Sequence, residues 1–175
     1  YTSNGDNNTA VGQRALYANT TGAMNNAFGS GALGAVTTGE KNIGIGYLAG
    51  VAITDAEDNV AVGQQALEAN VNGDRNIAIG TRALDVNTAD DNLAIGHETL
   101  RLNTSGSDNV ALGGYSLDAN TSGTDNTAVG KSALGSNTSG SYSTGIGREA
   151  LLLQNTTNAN GATAVGYQAM RANNG

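Results

Sequence analysis

Apolar and small residues recur along this chain at a nearly constant interval. Each repeat contains a glycine that is preceded by a large apolar residue and, one position earlier, by Ala or Gly. These ten anchor glycines are Gly12, Gly29, Gly46, Gly63, Gly80, Gly96, Gly113, Gly130, Gly147 and Gly166. They lie 17 residues apart, except for one interval of 16 and a final interval of 19. A fixed period of this length indicates a solenoid of stacked coils.

The repeat unit reads N-[TVI]-A-[VI]-G-x-x-A-L-x-A-N-T-x-G-x-x and fills residues 1–175, so we predict a single array of about ten coils with no separate domain. The shortened unit lacks a turn glycine in residues 87–92, and the longest one carries its extra residues within 155–161. Changes confined to turns leave the core positions of a stacked array aligned.

The residues before each anchor predict a short β-strand. The position directly before the anchor is always large and apolar, as in Val62 and Ile79, and the position three before is often β-branched. Such residues favour strands, and we expect the large aliphatic side chain to point into the coil. We expect the anchor glycine to adopt positive φ or to permit close backbone approach.

A second apolar pair, Ala then Leu, follows each anchor. The Leu lies four residues after the anchor in eight units: Leu16, Leu33, Leu67, Leu84, Leu100, Leu117, Leu134 and Leu151. Met170 takes this position in the last unit, and Gly50 is the exception. The stretch 64–70 is rich in helix formers, and the N-T-x-G that follows is typical of a helix end or a turn. We expect one or two turns of helix here, with a second strand as the alternative.

An asparagine lies four residues before most anchors. These ladder asparagines are Asn8, Asn25, Asn42, Asn59, Asn76, Asn92, Asn109 and Asn126. Asn amides bond nearby backbone at turns, and identical amides stacked coil on coil can bond along the axis. We therefore interpret this column as structural, with ligand contact as the alternative.

Two apolar columns in so narrow a coil predict association between chains. Burying one Val or Leu contributes roughly 1.5–3 kcal/mol, whereas ordering each residue costs about 1–2 kcal/mol. The folded state of a single, unassociated rod would therefore be only marginally stable. We expect the Val/Ile column to face the interior and the Leu column to face neighbouring chains, because an exposed apolar stripe is avoided by monomers.

Composition and charge exclude several classes of protein. The net charge is −7, from 15 acidic and 8 scattered basic residues, which argues against nucleic-acid binding. No run of about 18 apolar residues is present, so this segment is not expected to insert into a membrane. There is no Cys for disulfides or thiolate metal sites, and no Pro. The chain begins at Tyr1 without a signal-peptide pattern, so we expect a piece of a longer protein, with anchoring or trimerising segments outside it.

No catalytic, cofactor or metal site is predicted, and we do not expect an enzyme. The only His, His97, follows an anchor and has no Cys partner, so we interpret it as a solvated surface residue. One column precedes the ladder asparagines: Lys41, Asp58, Arg75, Asp91, Asp108 and Asp125. Its three consecutive aspartates suggest a bound cation as one hypothesis and solvated carboxylates as the simpler one.

The unit resembles repeats of known fibre proteins. The strings 59–63, 76–80 and 126–130 look like the core motif of trimeric autotransporter adhesin heads, and the fuller unit is similar to repeats of bacteriophage tail fibres. The resemblance implies a trimeric, left-handed parallel β-roll located on a cell surface or virion. It also implies attachment to a host through a receptor or glycan. The 17-residue unit departs from the shorter adhesin unit.

The expected function is therefore a structural or adhesive segment of a homotrimeric extracellular fibre. The alternative is an ice-binding solenoid, because a threonine column runs along one edge: Thr20, Thr37, Thr54, Thr88, Thr104, Thr121 and Thr138. Only one threonine rank is present, and its neighbours are mixed. A carbohydrate lyase on a β-helix would need clustered acids or bases and a longer coil, which the sequence does not show.

Overall fold

The chain folds into a β-solenoid with one short strand in each coil. The computed structural model describes residues 5–153 and 160–172. Its three-residue strands are β1 (Thr9–Val11), β2 (Asn26–Phe28), β3 (Ile43–Ile45), β4 (Val60–Val62), β5 (Ile77–Ile79), β6 (Leu93–Ile95), β7 (Val110–Leu112), β8 (Thr127–Val129), β9 (Thr144–Ile146) and β10 (Thr163–Val165). They form one parallel ten-stranded sheet in chain order, which confirms the predicted β-solenoid.

Equivalent repeat positions pair across the whole sheet. Ala61 pairs with Ala78, and Ala78 pairs with Ala94 across the coil that is one residue short. In that coil the carbonyl of Ala89 accepts from the Asn76 amide at 2.8 Å, the role that turn glycines have in other coils. The extra residues before β10 lie mostly in 154–159, outside the described residues, while β9 and β10 remain paired in register.

The two apolar columns have the opposite orientation to the one predicted. The central residue of β2–β10 is Ala or Gly and is buried, as Ala78 is, whereas Ile79 before the anchor remains 38% exposed. The Leu column lies inside, with no exposed surface at Leu33, Leu67, Leu84, Leu100, Leu117, Leu134 and Leu151. Side chains of a strand alternate between its two sides, so an inward Ala forces its large neighbours outward. The narrow interior accommodates Ala opposite Leu.

The segment after each anchor is neither a helix nor a second strand in the described residues; it is a run of turns. Its second and fourth residues are left-handed, as at Gln65 (φ 57°) and Leu67 (φ 52°). The Leu67 N–H donates to Ala83 O at 3.0 Å in the next coil, instead of to a carbonyl of its own segment. Stacking between coils thus overrides the helix propensity of these residues, and the expected helix is wrong.

The coil that contains Gly50 is repacked around its missing Leu. Ile53 takes the place of an inward Asn in most other coils and is fully buried. A Cβ added at Gly50 would lie 2.8 Å from Leu33 Cδ2 and 3.0 Å from Ile53 Cδ1. The side chains of Ile53 and Leu33 therefore fill the volume that the missing Leu at position 50 leaves, as close packing requires.

Two leucines of one coil test the inside and outside assignment. Leu100 is fully buried and Leu102 is 37% exposed. We expect Leu100→Ala to lower the free energy of unfolding by about 2–5 kcal/mol because it leaves a cavity. Leu102→Ala should cost about 1 kcal/mol or less, since less apolar surface is involved. Thermal and denaturant unfolding of both variants measures the difference, and equal losses would contradict the assignment.

Candidate interaction surface

An apolar face runs along the outside of the sheet. We call it the sheet face; it consists of the first and third residues of β1–β10. Its central coils carry only aliphatic residues: Val60, Val62, Ile77, Ile79, Leu93, Ile95, Val110 and Leu112. Several are substantially exposed, and so are Phe28 at 41% and Ile45 at 43%. With ten strands about 4.8 Å apart, the stripe is about 48 Å long. Monomers rarely expose so continuous an apolar surface.

The anchor glycines form one border of the sheet face and set the distance between coils. All ten have φ between 126° and 142°. A Cβ added at Gly80 would lie 2.2 Å from the carbonyl oxygen of Gly96. Positive φ and close backbone approach, which the sequence left as alternatives, therefore occur together. Gly166, the last anchor, has positive φ but no close backbone neighbour: a Cβ added there would lie 3.9 Å from its nearest atom, Ala169 Cβ.

The ladder asparagines lie inside the solenoid, next to the sheet. Asn109 is fully buried. Its Oδ1 accepts from the Asn126 N–H at 3.1 Å, and its Nδ2 donates to Gly123 O at 2.9 Å and Asn92 Oδ1 at 3.1 Å. Asn8 is only half-buried. The other ladder asparagines are all buried: Asn25, Asn42, Asn59, Asn76, Asn92 and Asn126. These amides satisfy buried backbone groups of the coils.

A second column of inward asparagines was missed from the sequence, where it was interpreted only as part of a helix end or a turn. It comprises Asn19, Asn70, Asn87, Asn103, Asn120 and Asn137, all buried. Asn120 Nδ2 donates to Gly123 O at 3.0 Å, and the Gly123 N–H donates to Asn120 Oδ1 at 3.1 Å. Asn120 Nδ2 also donates to Asn103 Oδ1 at 2.8 Å. The recurring Asn-Thr-x-Gly string was the signal that could have revealed it.

The threonine column uses its hydroxyl groups to join coils. Thr88 Oγ1 donates to Thr104 O at 2.7 Å, Thr104 Oγ1 to Thr121 O at 2.8 Å, and Thr121 Oγ1 to Thr138 O at 2.9 Å. Val71 interrupts the column. The hydroxyl protons are therefore engaged within the chain, although the side chains lie at the surface.

The charged column is exposed and includes one ion-pair network. The Arg75 guanidinium lies 2.7 Å from Asp91, 3.3 Å from Asp90 and 3.7 Å from Asp74. The hydrogen bond from Arg75 holds the pKa of Asp91 below its ordinary value, and the same bond raises the pKa of Arg75. In the described part of the chain no group of three or more His, Cys, Asp or Glu side chains is placed to hold a metal. The cation hypothesis therefore has no ligand set in that part.

His97 lies on the surface beside an aromatic ring. Its side chain is 51% exposed, with Nε2 3.6 Å from the Glu98 carboxylate. The imidazole meets the Tyr115 ring edge-on, with ring centroids 5.4 Å apart. This placement agrees with the surface position expected from the sequence.

Comparison of the chain with protein-family models, curated proteins and solved structures gives no match. Over residues 5–153 and 160–172, no helix has the length and apolar character needed to cross a membrane.

Adjacent glycines test the role of the anchor column. A Cβ at Gly113 would lie 2.7 Å from the carbonyl carbon of Gly130, whereas at Gly114 the nearest atom would be 3.7 Å away. We expect Gly113→Ala to cost about 1–3 kcal/mol in backbone strain alone, with further loss from the clash. Gly114→Ala should change stability by about 0.5 kcal/mol or less. Similar melting temperatures for the two variants would show that the anchor column is not what limits coil stacking.

Buried asparagine can be tested by an isosteric change. Asn109→Asp removes the donor to Gly123 and Asn92 and introduces a buried charge among acceptors, so it should cost more than about 1–3 kcal/mol at neutral pH. Burial raises the pKa of the introduced carboxyl, so the deficit should shrink as the pH falls and the carboxyl becomes protonated. Asn7→Asp, at an exposed position, is the control. Unfolding curves at several pH values check both expectations; a deficit independent of pH would count against this account.

Proposed function

We propose that this chain is a structural and adhesive segment, shaft or head, of a homotrimeric extracellular fibre on a cell surface or a viral tail. The observation that carries the proposal is the sheet face. Its third-position residues are apolar in all ten strands, its first-position residues are apolar in β3–β7, and both positions lie outside the solenoid's own core. The chain's resemblance to fibre repeats supplies the setting.

The energetics favour covering this face. The interior of one coil holds a single Leu, two Ala and two Asn, as at Leu84, Ala78, Ala83, Asn76 and Asn87. That is little apolar burial for a whole coil of ordered residues. Covering the exposed part of one sheet-face Ile contributes roughly 1 kcal/mol, and the gain is repeated at every coil.

Three copies around an axis parallel to the rods would each point the sheet face at the axis. A closed ring of this kind buries the stripe without leaving an open side for further growth. The number three follows from the resemblance to trimeric fibres, and the apolar face supports association in general. Turns on the far side of each coil would remain accessible, and a receptor or glycan would contact the fibre there.

The ice-binding alternative rests on the exposed threonine column. The column is a single rank, its hydroxyl protons bond to neighbouring coils, and Val71 interrupts it. These features favour a role for the threonines in stacking. Strong inhibition of ice recrystallisation by the chain would support this alternative against the fibre.

Charge placed on the sheet face tests the proposed assembly. We expect Ile79→Asp combined with Ile95→Asp to convert trimers to monomers, because burying unpaired carboxylates on the three-fold axis is costly. Leu102→Asp replaces a comparably exposed apolar residue, outside the sheet face, and should leave the trimer intact. Multi-angle light scattering over a range of concentrations measures the mass. A wild-type chain that stays monomeric at every concentration would refute the assembly.

A further inference from the structure

The charge of this chain is concentrated on one side of the sheet face. The four turn residues that precede each ladder asparagine form what we call the acidic edge. This edge carries ten carboxylates (Asp6, Glu40, Asp55, Glu57, Asp58, Asp74, Asp90, Asp91, Asp108 and Asp125) and two basic residues, Lys41 and Arg75. Its net charge is −8, whereas the whole chain carries −7. All other positions together therefore sum to +1.

The opposite border of the sheet face has a different character. It is the post-anchor column, the residue directly after each anchor glycine: Gln13, Ser30, Tyr47, Gln64, Thr81, His97, Gly114, Lys131, Arg148 and Tyr167. It contains no carboxylate and includes two cations. Asp125 and Lys131 flank β8 symmetrically, each two residues from the strand. Both side chains are exposed, and neither forms an ion pair within the described chain.

The two borders distinguish between ways of covering the sheet face with a second copy. If neighbouring rods run parallel about a common axis, the acidic edge of one copy meets the post-anchor column of the next. If the rods run antiparallel with strand directions aligned, acidic edge meets acidic edge. Like charges brought together at an interface are unfavourable, so the charge distribution favours the parallel arrangement.

Parallel rods at equal height also avoid every like-charge contact between the two border columns. Coil by coil, the facing residues would be Lys41 with Tyr47, Asp58 with Gln64, Arg75 with Thr81, Asp91 with His97, Asp108 with Gly114, Asp125 with Lys131, and Tyr142 with Arg148. Asp125 and Lys131 are opposite charges, and Tyr142 offers its ring to a guanidinium. No facing pair has the same sign.

We propose that copies of this chain associate through the sheet face as parallel rods in register, with Asp125 of one copy paired to Lys131 of the next. This inference rests on the proposed function for the existence of the assembly. A closed ring about an axis parallel to the rods already places the copies at equal height, and the charge of the two borders supports the parallel direction. The new element is the pair of residues that meets at each corner. The same pairing at every corner closes the ring, because each copy offers one partner on each side.

Charge reversal tests the pairing. Asp125→Lys and Lys131→Asp each place like charges at every corner. Each should therefore raise the dissociation constant about tenfold or more at low salt, and less in 1 M salt, where the Debye length is about 3 Å. The chain carrying both reversals should return to within about threefold of wild type. Asp108→Lys is the matched control, because it lies in the same column but faces Gly114. Loss in both single variants without recovery in the double variant would overturn the pairing, as would unchanged single variants.

Cross-linking measures the arrangement directly. The chain contains no Cys, so Asp125→Cys combined with Lys131→Cys introduces the only thiols. A link between the two positions of one chain would leave the mass of a single chain, so only species of two or more chains report contacts between copies. Parallel rods in register predict cross-linked species of two and three chains, whereas neither single-cysteine variant should give this ladder of species.

Unlinked chains in an assembly shown to be trimeric by light scattering would overturn the register and leave the fibre proposal standing. A ladder that stops at two chains would keep the corner pairing and contradict the trimer, and a monomeric wild type would refute both.

Discussion

Hydrogen bonding between successive coils is the interaction on which the rest of this structure depends. The Gly80 N–H donates to Val62 O at 2.7 Å, and the Leu84 N–H donates to Thr99 O at 3.0 Å in the following coil. Backbone groups buried without such partners would cost free energy comparable to a lost hydrogen bond. The anchor glycines let successive coils approach closely enough to form these bonds. The side chains of the inward asparagines bond to backbone N–H and C=O groups that are not paired within the sheet.

This stacking determines what the interior contains. A coil of this length with glycine-controlled spacing has room for Ala opposite Leu, and the remaining inward positions are mostly amides. The large aliphatic residues of the strands are consequently placed outside, where they line up coil after coil. The apolar sheet face is thus a direct result of a small core, and its covering by further copies is the basis of the proposed fibre.

Stacking also converts sequence columns into surface stripes. A residue type repeated at one position becomes a continuous feature along the rod, such as the threonine column or the acidic edge. Where a column varies in charge, neighbouring coils interact directly, as Arg75 does with Asp91 in the next coil. The placement of acid on one border of the sheet face gives the rod a lateral polarity, and this polarity supports parallel association.

The amino-acid sequence was sufficient to predict the period, the strands before each anchor, the need for glycine at the anchors and the axial bonding of ladder asparagines. These features repeat with the unit and follow from backbone and amide chemistry. The sequence did not determine which apolar column faces inward, because hydrophobicity alone places Ile79 and Leu84 inside equally well. The constant Ala or Gly at the strand centre, against variable large residues beside it, was the unused signal. Nor did it reveal the left-handed turns: Leu67 favours a helix locally, and only bonds to the next coil make its positive φ favourable. Those choices depend on contacts between residues a full coil apart, which tertiary structure alone supplies.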